Sequence, residues 1–277
     1  MMSDRVLAQL KIAAELPDLT GTRYRLIEEI GRGGMGVVYS AEDLELGRLV
    51  AIKVLDGPEE ARVLASLEHP GIVPVHEAGM LADGRSYYAM KLVRGTRLDA
   101  YLQRNPHLPD RLRAFQRICE PVAFAHARGV IHRDLKPANI MVGEFGEVLV
   151  MDWGAPGMGT AAFMAPEQAV DDVVDGRADV FALGRILEVL MNQEASVPKP
   201  LASICRCATE QDRELRYASP LELAADIAAY LDRMPVSAHR ESIGERLLRF
   251  GSRNRVLLTL VAAYLAMRIV IILWLGR

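Results

Sequence analysis

The chain has 277 residues, of which 51% are hydrophobic and 25% charged, with a net charge of −3; it can bury a core and is not a disordered chain. The near-neutral balance offers no global basic field, so it argues against nucleic acid as a partner. Cys119, Cys205 and Cys207 lack C-x-x-C spacing, which supports neither a disulfide framework nor a zinc site and fits reduced packing cysteines in a cytosolic domain. The N-terminal run MMSDRVLAQLKIAAEL carries Asp4, Lys11 and Glu15, which interrupt the apolar core that a signal peptide needs. Residues 1–23 read as an N-terminal extension. From Tyr24 to Met90 strands follow one another with turn punctuation, RYRLIEEIG, GVVYSAED, LVAIKVL, IVPVHEAGM and SYYAMKL, and predict a small antiparallel sheet. EEARVLASL at 59–67 interrupts them as a short helix with Val63, Leu64 and Leu67 on one face, opened by Pro58 and two glutamates.

KLVRG at 91–95 reads as a connection to a helical half. There the apolar spacing predicts helices in DRLRAFQRICEPVAFAHARG, DVFALGRILEVLMNQ, around LASICRCA, and in LELAADIAAYLDRM, the last capped by Ser219 and opened by Pro220. NIMV and EVLVM between the first two suit a hairpin. Residues 236–255 carry Arg240, Arg246, Arg249, Arg253 and Arg255. Val256 to Leu275 is a run of twenty residues with one charge, Arg268, which meets the ~20 residues a bilayer-spanning helix requires. The expectation is a single span with the main domain in the cytoplasm, because arginines flank its N-terminal side. An interfacial or docked helix is the alternative, since Arg268 at mid-membrane costs about 2.5–3.5 kcal/mol.

Four elements in one order carry chemistry. Gly31, Gly33, Gly34 and Gly36 lie between two strands in GRGGMGVV, where glycines let backbone amides approach phosphates. The following strand, in place of a helix, disfavours a dinucleotide fingerprint. VAIK ends an apolar strand on Lys53. HRDLKPAN packs a base candidate, Asp134, a cation, Lys136, and an amide ligand, Asn139, into one loop. Asp152 follows an apolar strand and suits a cation. Together these are the parts that phosphoryl transfer from a metal nucleotide needs.

The motifs G-x-G-x-x-G-x-V, V-A-I-K, H-R-D-L-x-x-x-N and A-P-E over residues 24–234 resemble the protein kinase family. The wording GRGGMGVVY, HRDLKPANI and MDWG is similar to bacterial Ser/Thr kinases of the eukaryotic (Hanks) type, some of which carry a membrane helix after the kinase domain. The resemblance implies an α+β, bilobal fold, with an antiparallel N-terminal lobe over 24–90, a hinge over 91–95 and a helical C-terminal lobe over 96–235. It implies ATP and Mg²⁺, and a protein substrate with a Ser/Thr acceptor, the serine/threonine preference following from Lys136.

By the same resemblance, Lys53 holds the α and β phosphates and pairs with a glutamate of the first helix. Glu60 suits that role better than Glu59 because it shares the inward face of Val63 and Leu64; two exposed first-turn carboxylates are the alternative. Asn139 and Asp152 bind Mg²⁺, Asp134 accepts the hydroxyl proton and Lys136 faces the leaving phosphate. Ile30, Gly31, Gly33, Gly34, Gly36, Val38, Ala51, Met90, Val93 and Met141 are implied around the nucleotide, with Met90 as gatekeeper or plain core methionine. His132, Arg133, Thr160, Glu167, Asp179 and Arg216 are implied supports. Glu167 is expected to pair with Arg216, or with Arg213, and Asp179 to brace the catalytic loop.

Three segments are short for the family. Six residues separate Lys53 from Glu60, the loop after Asp152 is a stub, and NQEASVPKP stands where a further helix and long connection are usual. Two function classes follow: a membrane-tethered Ser/Thr kinase, or a nucleotide-binding scaffold with little phosphotransfer, because substrate positioning supplies much of the rate in this chemistry.

Overall fold

Five antiparallel strands build the first lobe: β1 (Tyr24–Gly33), β2 (Gly36–Asp43), β3 (Arg48–Leu55), β4 (Val75–Met80) and β5 (Ser86–Lys91), in spatial order β1-β2-β3-β5-β4. The coordinates are a computed structural model. They describe residues 16–246 and 254–275, except 34–35, 56, 58, 105–106, 154–159, 171–172, 193 and 195. β3 is central and buried on both faces, hence its continuous apolar run. Its period of two sends Val50, Ile52 and Val54 into a cluster with Tyr39, Tyr87 and Ala89. Leu55, of the opposite parity, packs in the larger core with Ala61 and Leu64 of helix α1 (Glu59–Ala65). α1 stops at Ala65, short of the expected Leu67, which is nonetheless buried. At Gly36, φ is +132° and a Cβ would lie 2.2 Å from the Val54 carbonyl oxygen; only glycine lets β2 turn in so close to β3.

A second sheet, β6 (Gly95–Arg97), β7 (Ile140–Gly143) and β8 (Val148–Val150), sits at the junction. The β7–β8 hairpin is the expected one. β6 is an addition: the end of the expected hinge and the two residues after it pair with β7, with Gly95 opposite Gly143 and Arg97 opposite Met141.

The helical lobe holds α2 (Leu98–Arg104), α3 (Leu108–His126), the short α4 (Pro166–Ala169), α5 (Arg177–Met191), α6 (Lys199–Ala208) and α7 (Pro220–Leu231). α5 is apolar nearly all round and is the lobe's axis: Val180, Leu183, Ile186, Leu187 and Leu190 are buried, each worth about 1.5–3 kcal/mol of transfer free energy. α3 packs on α5 through Leu112, Phe115, Ile118 and Val122 in the same core. The Ser219 hydroxyl accepts from the Glu222 amide at 3.3 Å and caps α7. Two-lobed α+β organisation thus stands.

The C-terminal apolar run is helical. Residues Arg255–Leu275 do form a 21-residue helix, α8, but among the described residues no helix is long and apolar enough to cross a membrane. The guanidinium of Arg268, the one charge in the run, lies 6.0 Å from the Tyr264 ring centroid.

Candidate active site

Between the lobes lies a cleft of about 640 Å³. Ile30, Gly31, Gly33, Gly36 and Val38 line it from β1 and β2. Ala51, Lys53 and Met90 line it from β3 and β5, Val93 from the connection, and Met141 from β7. Gly34 and the loop at 154–159 fall outside the described residues.

Lys53 is on the cleft side of β3 because Val50, Ile52 and Val54 take the other parity. Its Nζ donates to Glu60 Oε1 at 2.7 Å and to Asp152 Oδ1 at 3.0 Å. Glu60, buried on α1, also accepts from the Tyr88 hydroxyl at 2.7 Å, while Glu59 is exposed. Burial alone would lower the Lys53 pKa, but the charges of Asp152 and Glu60 raise it above the ordinary lysine value. The lysine therefore stays cationic in a pocket that leaves its side chain 4% exposed.

Asp134 is the second focus. Its Oδ1 accepts from the Thr160 amide at 3.0 Å and hydroxyl at 3.2 Å. Its Oδ2 accepts from Lys136 Nζ at 2.7 Å, and Lys136 also donates to Thr160 Oγ1 at 2.9 Å. A 3₁₀ turn, Pro137–Asn139, presents Asn139, whose Nδ2 donates to the Asp134 carbonyl at 2.9 Å. Burial raises the Asp134 pKa, yet Lys136 and Thr160 outweigh it and hold the carboxyl below its usual value. The group is an ionised, oriented acceptor.

Both loops are held from behind. Asp179, fully buried at the start of α5, accepts from the amides of His132 at 2.8 Å and Arg133 at 2.9 Å, and lies 2.7 Å from His126 Nε2. Those partners outweigh burial and lower its pKa. Arg133 and Asp152 adopt left-handed φ of 68° and 59°, strain of order 1–3 kcal/mol of the kind held at functional loops. His132 Nε2 is 2.8 Å from the Met151 carbonyl oxygen, tying one loop to the other. Trp153 is fully buried, its Nε1 donating to the Val150 carbonyl at 3.0 Å and its ring centroid 4.7 Å from that of His132.

Glu167 on α4 meets Arg216 through two hydrogen bonds, at 2.6 and 2.9 Å. Arg213 instead donates to the Val173 carbonyl at 2.6 Å. Thus the cleft brings together Lys53, Asp134, Lys136, Asn139 and Asp152, with Glu60 behind Lys53 and Thr160 capping Asp134; Glu167 and Arg216 stand apart.

Sequence reasoning missed Tyr88, His126 and Arg111. Tyr88 had a signal, since it is the cross-strand partner of Lys53 and so shares its face. Arg111, fully buried in α3, donates to the Leu190 carbonyl and pairs with Glu194; an arginine within an amphipathic helix carries no local mark of that role. It satisfies an end carbonyl of α5.

A sequence model described as protein kinase domain matches residues 24–234. Among curated proteins, the chain is 31% identical over 294 aligned positions to serine/threonine-protein kinase PknD of Protochlamydia amoebophila, covering 76% of this chain and 30% of that protein. It is 40% identical over 193 positions to serine/threonine-protein kinase PknA of Mycobacterium tuberculosis, covering 58% of this chain and 45% of the relative. The chain spans less than half the length of these relatives. Among solved structures, the M. tuberculosis PknI kinase domain superposes with a TM-score of 0.60 at 25% identity, covering 76% of this chain and 96% of that one.

Proposed function

Since the chain belongs to the protein kinase family, we propose that it transfers the γ-phosphoryl group of ATP to a serine or threonine hydroxyl of a protein. The observation that carries this reading is the convergence of Lys53, Asp134, Asn139 and Asp152 in one cleft, with Glu60 bound to Lys53.

The donor set suits a hard cation shared with phosphates. Among the described residues no cluster of three or more His, Cys, Asp or Glu side chains forms a cage of its own. Among the described residues Asp152 Oδ2 and the Asn139 amide oxygen have no hydrogen-bond partner. Two oxygen donors completed by nucleotide phosphates and water is the arrangement Mg²⁺ favours. Asn139 and Asp152 would hold the ion, which when bound neutralises charge on the phosphates.

The chain's own groups supply the rest. Lys53, fixed by Glu60, and the backbone of the Gly31–Gly36 turn would hold the phosphates. Asp134 Oδ2 would orient the acceptor hydroxyl and take its proton. Lys136, 2.7 Å from that carboxylate, would offset charge developing between acceptor and phosphate. Because Asp134 is held ionised, it need lose no proton before accepting one. A scaffold without phosphotransfer would have no need of this set of contacts around Asp134. Incubation of the purified protein with labelled ATP, Mg²⁺ and a generic protein acceptor tests the reading; label transfer that vanishes in Asp134→Asn supports it, and transfer unchanged in that variant overturns it.

Membrane attachment through residues 256–275, with the kinase domain cytoplasmic, is a proposal from the sequence run and its flanking arginines. Exposed Leu260, Val261, Leu265, Ile269 and Trp274 on α8 support it, because an apolar helix left uncovered needs a lipid or protein environment. If alkaline carbonate, which strips peripheral proteins, releases the chain from membranes, the span is wrong.

A further inference from the structure

The mouth of the cleft on the β6 side is cationic. Lys91 at the end of β5, Arg94 in the connection and Arg97 at the end of β6 are all exposed, and no carboxylate occurs between Ser86 and Leu98. Among the described residues none of the three has an ion pair or a side-chain hydrogen bond. Other cations of the cleft differ: Lys53 is bound to Glu60 and Asp152, Lys136 to Asp134, and Arg32 to Glu29. Arg97, held on a short strand, and Lys91, at the end of β5, are available to a ligand.

Register fixes where they stand. Arg97 is the Cα partner of Met141, two residues after Asn139, and it lines the same cleft as Asp134 and Lys136. Phosphates are served deeper in the cleft by Lys53 and by the carboxylate and amide that would hold the metal. Arg97 and Asp134 line one cleft, so a polypeptide delivering a hydroxyl to Asp134 would approach through an opening that Arg97 also lines.

We propose that Arg97 selects acidic protein substrates, by pairing with a carboxylate side chain near the acceptor residue. The proposal rests on the kinase reading and names the substrate class of that site. An arginine fork matches a carboxylate bidentately, and a solvent-exposed pair of this kind contributes more to partner choice and encounter rate than to raw affinity. Discrimination is therefore expected to be largest at low salt and to fade as the Debye length shortens to about 3 Å at 1 M.

The test uses three serine peptides of equal length whose flanking residues are glutamate, alanine or lysine. Binding to the full chain is read by fluorescence anisotropy in the presence of a non-hydrolysable ATP analogue and Mg²⁺, and turnover by phosphate incorporation. The expected result is at least about tenfold tighter binding of the glutamate peptide than of the lysine peptide at low salt. In Arg97→Glu the preference is expected to reverse, with the lysine peptide now bound more tightly; this gain cannot come from misfolding. Equal binding of all three peptides by the unmutated chain, or an unaltered preference in Arg97→Glu, overturns the proposal. So does a weakening of ATP binding in Arg97→Glu with peptide preference retained, which would assign Arg97 to the nucleotide. Loss of turnover with the binding preference intact counts against the kinase reading alone.

Discussion

Lys53 and Glu60 stand seven residues apart in the chain and 2.7 Å apart at their charged ends, on a strand and a helix joined by a very short connection. Tyr88 donates to the same glutamate oxygen, so the pair is set from two strands and one helix. Glu60→Gln keeps the shape and removes the charge. It is expected to lower kcat/KM about tenfold to a hundredfold, as for a lost hydrogen bond to a charged group, with melting temperature little changed. A steady-state assay beside a thermal melt checks this; unaltered kcat/KM would show that Asp152 alone positions Lys53.

Asp152→Ala removes the carboxylate that would hold Mg²⁺, and Lys53→Met removes the phosphate cation. The first is expected to abolish the metal dependence of ATP binding, the second to lower turnover while the fold is kept. Calorimetric titration with ATP, with and without Mg²⁺, separates the two.

Much of this site was legible because its groups sit in short motifs whose spacing is set by one loop or one strand. Lys53, Asp134, Asn139 and Asp152 are of that kind, and Glu60 followed from the helical face it shares with Leu64. Contacts between distant segments left no such mark. His126 meets Asp179 across 53 positions and Arg111 reaches Leu190 across 79, and neither arginine nor histidine in an amphipathic helix announces a buried partner. β6 was hidden for a different reason: three residues with one glycine have no readable period, and pairing with β7 makes them a strand. α8 was legible as a helix from its long apolar run, Val256 to Leu275.

Gly36→Ala puts a methyl group 2.2 Å from the Val54 carbonyl oxygen at a φ of +132°. It is expected to destabilise the protein by about 2 kcal/mol or more, lowering Tm by several degrees. Gly36 and Val38 line the cleft proposed to hold ATP, so ATP binding should weaken as well. A Tm within a degree of the unmutated chain would show that β2 yields there.

Glu167 has its pKa moved two ways: burial raises it and the Arg216 hydrogen bonds lower it further, leaving it below the ordinary glutamate value. A folded-state pKa below the unfolded one gives stability that is present above about pH 4.3 and is lost as pH falls through the folded value. Glu167→Gln should therefore be less stable by about 3 kcal/mol at pH 7, as for a broken buried pair, with the gap narrowing below pH 4.3. Urea melts of both proteins across that range test it; a constant gap would mean the ion pair is not the source.

Thr160 is the only hydroxyl residue between Asp152 and Glu167, and its hydroxyl lies on Asp134 and Lys136. A phosphate there would place negative charge against the Asp134 carboxylate. Activity is expected to survive phosphatase treatment, with no phosphate on Thr160 in peptide maps of the autophosphorylated protein. Phosphate on Thr160 together with activity lost on its removal would reverse that expectation.

Trp153 bolts down the segment proposed to hold the metal. To turn Asp152 out of the cleft, the chain would have to draw the neighbouring indole from its packing on His132 and break its bond to the Val150 carbonyl. Emptying a Trp-sized site of this sort costs about 3–5 kcal/mol, which leaves an outward-turned conformer populated at roughly one part in 10² to 10⁴. An inhibitor that recognises only that conformer would have its affinity reduced by the same factor, whereas one shaped to the inward arrangement would meet a receptor already in place.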